Sequence, residues 1–170
     1  MGVNVYDRKD GSELSFDRNW WFWRPLWAYV QNVAGEMVAD IDGDCNSGDG
    51  FETAEESKAL AKVLEESITS GEVIRWAKAR EAELANEIWE DCDICNGTGI
   101  RTDYVGIQQG MPWKPLNEEQ AKSLDRPAGW CNACQGKGEK MPVALWYHFD
   151  PECVKELAQF LNACEGFRIC

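Results

Sequence analysis

Two eight-residue stretches of the chain share the pattern Cys-x-x-Cys-x-Gly-x-Gly. They are Cys92-Asp93-Ile94-Cys95-Asn96-Gly97-Thr98-Gly99 and Cys131-Asn132-Ala133-Cys134-Gln135-Gly136-Lys137-Gly138. Zinc takes four ligands in a tetrahedron, and thiolate sulfur suits it well. A Cys-x-x-Cys turn presents two thiolates to one ion. The glycines that follow let the chain turn back under the sulfurs with positive φ, leaving backbone N–H groups to point at them. Two such knuckles complete one site, so Cys92, Cys95, Cys131 and Cys134 are the expected ligands of a single structural Zn2+ ion. The competing readings are disulfides, a redox pair and unpaired core cysteines. Disulfides need an oxidising compartment. A redox pair accounts for one Cys-x-x-Cys but not for two with matched glycines. Four thiolates leave no open position, and no His-x-Glu element is present, so a catalytic ion is not expected.

The other chemistry-bearing residues form weaker patterns. Cys45, Cys153, Cys164 and Cys170 lack paired spacing and read as small buried hydrophobes rather than as a second metal or redox centre. The stretch Asp40-Ile41-Asp42-Gly43-Asp44-Cys45-Asn46-Ser47-Gly48-Asp49-Gly50 resembles a calcium loop. An EF-hand places ligands at positions 1, 3, 5 and 12 and glycine at 6. Counted from Asp44, both Asp49-Gly50 and Glu56 arrive one residue late. Counted from Asp40, Cys45 and Phe51 fall at positions 6 and 12. No register fits, and the loop reads as a solvated turn. Trp20, Trp21, Phe22, Trp23 and Trp27 could stack nucleobases, but such platforms sit among basic residues and only Arg18 and Arg24 are near. They read as core, with Trp20 and Trp21 as candidate partner-binding positions. His148 is the one histidine, which excludes multi-His metal sites. No nucleophile elbow, phosphate loop or dinucleotide fingerprint occurs. Nothing singles out a carboxylate such as Asp93 or Asp103, and the chain is not expected to be an enzyme.

The elements that must position these residues follow from periodicity. Val3–Tyr6 and Leu14–Phe16 flank Asp10-Gly11 and predict a hairpin. Trp23, Leu26, Trp27, Val30 and Val33 share one helical face, with Pro25 suited to a first turn and Gly35 to the end. Thr53 and Glu56 form a capping-box signature ahead of the stripe Leu60, Val63, Leu64 and Ile68. After Gly71 a second helix is expected, carrying Val73, Trp76, Ala77, Leu84 and Ile88, running to about Glu90 and packed antiparallel to the first. Asn117–Leu124 suggests one or two helical turns. Val143, Leu145, Tyr147 and Phe149 alternate like a strand. Asp150-Pro151 caps a last helix with Val154, Leu157, Ala158 and Leu161 inward and Gly166 at its C′ position. Phe167–Cys170 adds an edge strand.

Composition sets the bounds. The chain has 170 residues, 44% apolar and 28% charged, which fits one ordinary globular domain. No apolar run approaches the ~20 residues needed to span a bilayer. The start, Met1-Gly2-Val3-Asn4-Val5-Tyr6, lacks a signal-peptide pattern and fails the myristoylation pattern, so a cytoplasmic location and no membrane partner are expected. The net charge of −13 argues against a counterion-release grip on nucleic acid. That charge is regional: residues 40–91 hold fifteen acids and five bases, whereas 92–140 hold six of each.

The paired knuckles resemble the cysteine-rich zinc finger of DnaJ-type chaperones over 92–99 and 131–138. That family has four copies and two zinc sites; this chain has two copies, which implies one site. The J-domain's His-Pro-Asp tripeptide does not occur, so the resemblance implies metal ligation and not a co-chaperone role. More weakly, Asn19–Trp27, Cys95–Gly99 and Gly166–Cys170 resemble a group of bacteriophage and bacterial proteins with no known activity. The expected fold is a single α+β domain over 1–170, three to four helices on a small mainly antiparallel sheet, with 92–140 as a DnaJ-like zinc-knuckle subdomain. The expected function is a zinc-stabilised acidic interaction module, a phage-encoded effector that binds and modulates or inhibits a host protein, including a defence component. A DNA mimic is one version. It needs an exposed acidic stripe on 40–91, and acids paired with Lys58, Lys62, Arg75 and Arg80 would weaken it. The alternatives are a nucleic-acid-binding zinc finger using Arg101, Lys114, Lys137 and Lys140, a chaperone-like or redox zinc protein, and an unrecognised hydrolase.

Overall fold

Alternating apolar and polar residues at the N-terminus build a strand whose inner face is Val3, Val5 and Asp7. In chain order the elements are β1 (Gly2–Asp7), β2 (Ser15–Asn19), α1 (Trp20–Ala34), α2 (Ala54–Thr69), α3 (Glu72–Leu84), β3 (Glu90–Asp91), β4 (Glu139–Lys140), α4 (Pro151–Ala163) and β5 (Phe167–Ile169). Short 3-10 turns occupy Gly35–Val38 and Val143–Trp146. The computed structural model describes residues 2–101, 104, 108, 131 and 133–170. The fold is α+β. Among the described residues there are four helices, a three-stranded antiparallel sheet ordered β2-β1-β5, and a two-stranded sheet of β3 and β4. Two compact units result: Met1–Asn86 with Trp146–Cys170, and Glu87–Leu145. We call them the main unit and the cysteine unit. The segment Asn117–Leu124 lies outside the described residues.

In the main unit α1 starts earlier than expected. Asn19 caps it, its side chain accepting the N–H groups of Trp21 at 3.0 Å and Phe22 at 3.2 Å. Pro25 is therefore inside the helix rather than in its first turn. An interior proline has no N–H for the carbonyl four residues back, here Trp21. That carbonyl instead accepts the His148 N–H at 3.1 Å. Trp23, Leu26, Trp27 and Val30 face inward as expected, joined by Tyr29, and Gly35 closes the helix with φ 47.

The Thr53–Glu56 capping box starts α2, and Leu60, Ala61 and Leu64 are fully buried. Its main packing partner is α4, not α3. α3 ends at Leu84, short of the expected Glu90, and Val73 is its one buried residue. Its last turns carry Arg80, Glu81 and Glu83, which offer nothing to bury, and Ile88 beyond it is 82% exposed. The expected strand over 143–149 does not form. The ring of Trp146 lies 5.5 Å from that of Trp21, Tyr147 lies 5.1 Å from Trp21, and Phe149 lies 5.2 Å from Tyr29. With His148 bonded to the Trp21 carbonyl, this run is tied residue by residue to α1 rather than to a strand neighbour. Asp150 caps α4 as expected, and Cys153, Val154, Leu157, Ala158, Phe160 and Leu161 enter the core. The helix ends at Ala163 with Cys164 as its cap, so Gly166 belongs to the turn before β5.

The acidic loop covers the outer edge of β5. The Gly48 N–H donates to Ile169 O at 2.9 Å, Ile169 N–H to Asp49 O at 2.8 Å, and Phe167 N–H to Phe51 O at 2.9 Å. An edge covered in this way is not free to pair with another chain. The guanidinium of Arg8 clasps the same seam, its Nε donating to Phe51 O at 3.1 Å and Phe167 O at 3.0 Å.

Candidate metal centre

The short β3–β4 ladder, Glu90 opposite Lys140 and Asp91 opposite Glu139, brings the ends of two knuckles side by side. The first knuckle leaves β3 and the second enters β4. They grip each other reciprocally: the Cys92 N–H donates to Gly138 O at 2.7 Å, and the Cys131 N–H to Gly99 O at 2.6 Å. Inside each knuckle the turn bonds repeat. Gly97 N–H donates to Cys92 O at 3.3 Å and Gly136 N–H to Cys131 O at 2.9 Å. Thr98 N–H and Lys137 N–H donate to Cys95 O and Cys134 O, both at 3.1 Å. The last glycine of each pattern has a left-handed backbone, φ 72 at Gly99 and φ 83 at Gly138. A side chain at Gly99 would strike the carbonyl of Gly136, and one at Gly138 that of Gly97. The paired glycines are thus needed both for the turn and for the close approach of the two loops.

This packing gathers all four expected cysteines. Cys92, Cys95, Cys131 and Cys134 are buried, and their sulfurs lie within 4.8 Å of one another. The Cys92–Cys131 and Cys95–Cys134 sulfurs are 3.9 and 3.7 Å apart. Tetrahedral zinc with Zn–S bonds of ~2.3 Å requires sulfurs about 3.8 Å apart. The four sulfurs could therefore hold one metal ion, and their spacing is consistent with structural zinc. Disulfide bonding is a poorer description, since an S–S bond is ~2.05 Å long and all eight cysteines are free.

Two of the four thiols are held back from ionising and one is helped. Burial pushes the Cys95 thiol up to about 11, more than the Gly99 N–H offsets, and burial raises Cys131 as well. At Cys134 burial acts in the same upward sense. It is outweighed by the Gly138 N–H, 3.3 Å from the sulfur, with Cys95, the Gly136 N–H and Cys131 assisting, and the thiol is lowered. A bound cation would supply the positive charge that four crowded thiolates need.

Residues outside the cluster have other partners. Asp93 pairs with Lys140 at 2.9 Å, and Lys137 lies 5.8 Å over the ring of Trp89. Asp103 and Lys114 lie outside the described residues. Cys153 is buried and accepts from Arg18 Nε at 3.2 Å, Cys164 is buried, and Cys45 and Cys170 are half-buried. In the acidic loop Asp49 Oδ2 accepts the Asp42 N–H at 3.0 Å and Asp42 Oδ1 accepts the Asp44 N–H at 2.9 Å. Among the described residues only the four-cysteine cluster brings three or more metal-ligand atoms together. The loop's glycines answer to packing. Gly43 lies against the ring of Trp27 and its carbonyl accepts Trp23 Nε1 at 2.6 Å, while Gly50 lies against Phe167 O. Of the tryptophans, Trp23 and Trp27 are core, stacked at 5.5 Å, and Trp21 is 37% exposed.

On the acidic stretch, Glu52 pairs with Arg8 at 3.0 Å, Glu66 with Lys62 at 3.9 Å and Glu83 with Arg80 at 3.4 Å. Arg75 donates to the Ser70 carbonyl instead. Among the described residues the remaining acids of 40–91 form no ion pair. What the sequence did not disclose is the cavity beside Arg24, Trp76, Arg80 and Tyr147. These four are scattered along the chain, and no spacing links them.

No protein-family model matches the chain, and no curated protein or solved structure matches it significantly. The likeness to DnaJ-type fingers accordingly stands on the two cysteine-glycine patterns and on the gathering of their cysteines.

Proposed function

We propose that the chain is a zinc-held acidic interaction module, a phage-encoded effector that docks on a basic surface of a host protein in the bacterial cytoplasm and inhibits it. The observation that carries this reading is the surplus of carboxylates on 40–91, where ion pairs engage Glu52, Glu66 and Glu83 and the other twelve acids form none among the described residues. An unpaired acidic surface raises the encounter rate with a basic partner and selects against acidic ones. Two features accompany it. Four thiolates fill a tetrahedral ion's coordination and leave no place for substrate, so the zinc is structural and of DnaJ-knuckle type. Trp21 and Trp146, at 37% and 47% exposed, supply aromatic anchors of the kind that dominate interfaces. The pairing of Lys62 and Arg80 with neighbouring acids disfavours the strict DNA-mimic version. Among the described residues no helix is long and apolar enough to cross a membrane.

The test is affinity capture from bacterial lysate with the tagged protein and with a variant in which Asp40, Asp44, Glu55 and Glu81 become Asn or Gln. The expected result is one stoichiometric protein, retained at moderate salt and lost with the variant, whose own activity falls in the complex. Retention unaffected by the four substitutions, or recovery of nucleic acid alone, overturns the proposal; the latter favours the nucleic-acid-binding alternative.

A further inference from the structure

A cavity of about 440 Å³ opens between α1 and α3 in the main unit. Ala28 and Ala79 leave the room, and Trp76 and Tyr147 supply aromatic walls. Its size falls within the ~300–1,000 Å³ of small-molecule sites. Arg24 and Arg80 also line it, with Glu83 as the one acid. Two guanidinium groups against one carboxylate make this wall net positive in a chain whose net charge is −13.

The state of Arg24 is the informative feature. Its guanidinium lies 4.4 Å over the ring of Trp20 and 5.8 Å over that of Tyr147, and Nη1 donates to Tyr147 Oη at 3.4 Å. Among the described residues it has no carboxylate partner, although the chain has thirty carboxylates. The Trp20 ring and the ring and hydroxyl of Tyr147 hold it in place, so little side-chain freedom is left to lose on binding. A planar guanidinium fixed in this way is suited to grip a carboxylate through two parallel N–H bonds. Arg80 meets Glu83 at 3.4 Å, longer than the ~2.7–2.9 Å of a tight charge-assisted bond, so it too has hydrogen-bonding capacity in hand. Trp76 is itself steadied by the ring of Tyr29, 5.5 Å away and edge-on. The lining thus combines aromatic surface with two cations.

We infer that this cavity binds a small aromatic acid, its ring between Trp76 and Tyr147 and its carboxylate on Arg24. The inference goes beyond the docking proposal and stands or falls separately from it, because it concerns α1 and α3 facing each other and not the solvated acids. The test titrates the 15N-labelled full chain, zinc-loaded, with indole-3-acetate and, separately, with tryptamine, which has the same ring and the opposite charge. The tryptophan indole N–H resonances are the readout. The expected result is a saturable shift of the Trp76 resonance with indole-3-acetate and at least about tenfold weaker binding of tryptamine. Arg24→Met should weaken the acid about tenfold, the order expected for losing one charge-assisted pair. Ala79→Phe fills the cavity while keeping both arginines and should abolish binding while the other indole resonances stay in place. No shift of Trp76 up to about 10 mM acid, equal binding of tryptamine, or wild-type binding by Ala79→Phe overturns the inference.

Discussion

The main unit and the cysteine unit are held by different forces. In the main unit twenty-four buried residues, drawn from the three-stranded sheet, from all four helices and from the loops at 38, 41 and 51, form one cluster. In the cysteine unit the described residues bury the four cysteines with Ile94 packed against them. Burial of apolar surface, the main favourable contribution to folding, is thus spread over the whole of the main unit. Among the described residues the cysteine unit shows no comparable apolar cluster, so a metal ion on the four thiols would be its main staple. The same chain thus spreads apolar burial over one unit and gathers four thiols at a single point in the other.

Metal removal is the largest perturbation this contrast predicts. Structural zinc contributes an apparent ~10–16 kcal/mol in small zinc domains, as much as the whole stability of many proteins. A strong chelator should release one zinc per chain. The resonances of Cys92–Gly99 and Cys131–Gly138 should collapse toward unfolded positions, while those of β1, α1, α2 and α4 keep their dispersion. Cys92→Ala or Cys131→Ala should do the same. Unchanged metal content and unchanged melting in either variant would remove the basis of the zinc assignment.

Leu64→Ala is the complementary break. Leu64 is fully buried on α2, within the core cluster that also takes in the inner face of α4. Its truncation should cost the main unit about 3 kcal/mol, within the range for a buried leucine, and lower its denaturant midpoint. Zinc content and the cysteine-unit resonances should not move. If zinc is lost as well, the two units are not independent and the contrast fails.

Legibility divided along the same line. The knuckles could be read because the chemistry requires specific residues at short spacing: two Cys-x-x-Cys turns with glycines at matched offsets. Thr53 with Glu56, Asp150 with Pro151, and the hairpin were legible for the same reason, being local. What was not legible is decided by distant contact. Pro25 reads as a first-turn residue until the His148 N–H is seen to replace the lost donor on Trp21 O. Val143–Phe149 alternates like a strand, yet Trp146, Tyr147 and Phe149 each have a ring of α1 to pack on. The glycines of the acidic loop look like calcium-loop glycines, but Gly43 exists for Trp27 and Gly50 for Phe167. The stripe continued to Ile88 on paper because periodicity does not reveal that no surface waits for it.

A smaller effect separates the knuckle fold from the metal itself. Gly138→Ala keeps all four sulfurs. It forces a side chain onto a residue at φ 83 and into the Gly97 carbonyl. The left-handed conformation alone costs roughly 1–2 kcal/mol. The variant should still bind one zinc, with affinity reduced about tenfold or more, measured by competition with a chromophoric chelator. Main-unit melting should match wild type. Wild-type affinity would show that the reciprocal glycine contact contributes nothing to the site.

The smallest effect sharpens the contrast from the other side, because it depends on a charge in the main unit and on no metal. Asp7 Oδ1 accepts the Lys9 N–H at 3.1 Å and the Glu165 N–H at 2.9 Å, joining the end of β1 to the turn after α4. Burial would raise this carboxyl, but the Glu165 N–H, the Ser12 hydroxyl, the Lys9 N–H and the Lys9 charge outweigh it and hold it below its ordinary value. A carboxyl lowered on folding contributes stability that is fully present above the unfolded aspartate value of ~3.9. The contribution shrinks as pH falls through the folded value, because protons then bind the unfolded chain first. Asp7→Asn keeps the size and one acceptor oxygen but removes the charge. At pH 7 it should lower the main unit's stability by about 1 kcal/mol, the order of one hydrogen bond to a charged group after solvent screening. The wild-type advantage should fade between pH 5 and about pH 3, read as converging urea midpoints for the main-unit tryptophans. Those midpoints should be compared in zinc-free protein as well, since acid also strips metal from thiolates. If the difference between wild type and the Asp7→Asn variant persists unchanged to about pH 3, hydrogen-bond geometry and not charge accounts for the tie between β1 and the turn after α4.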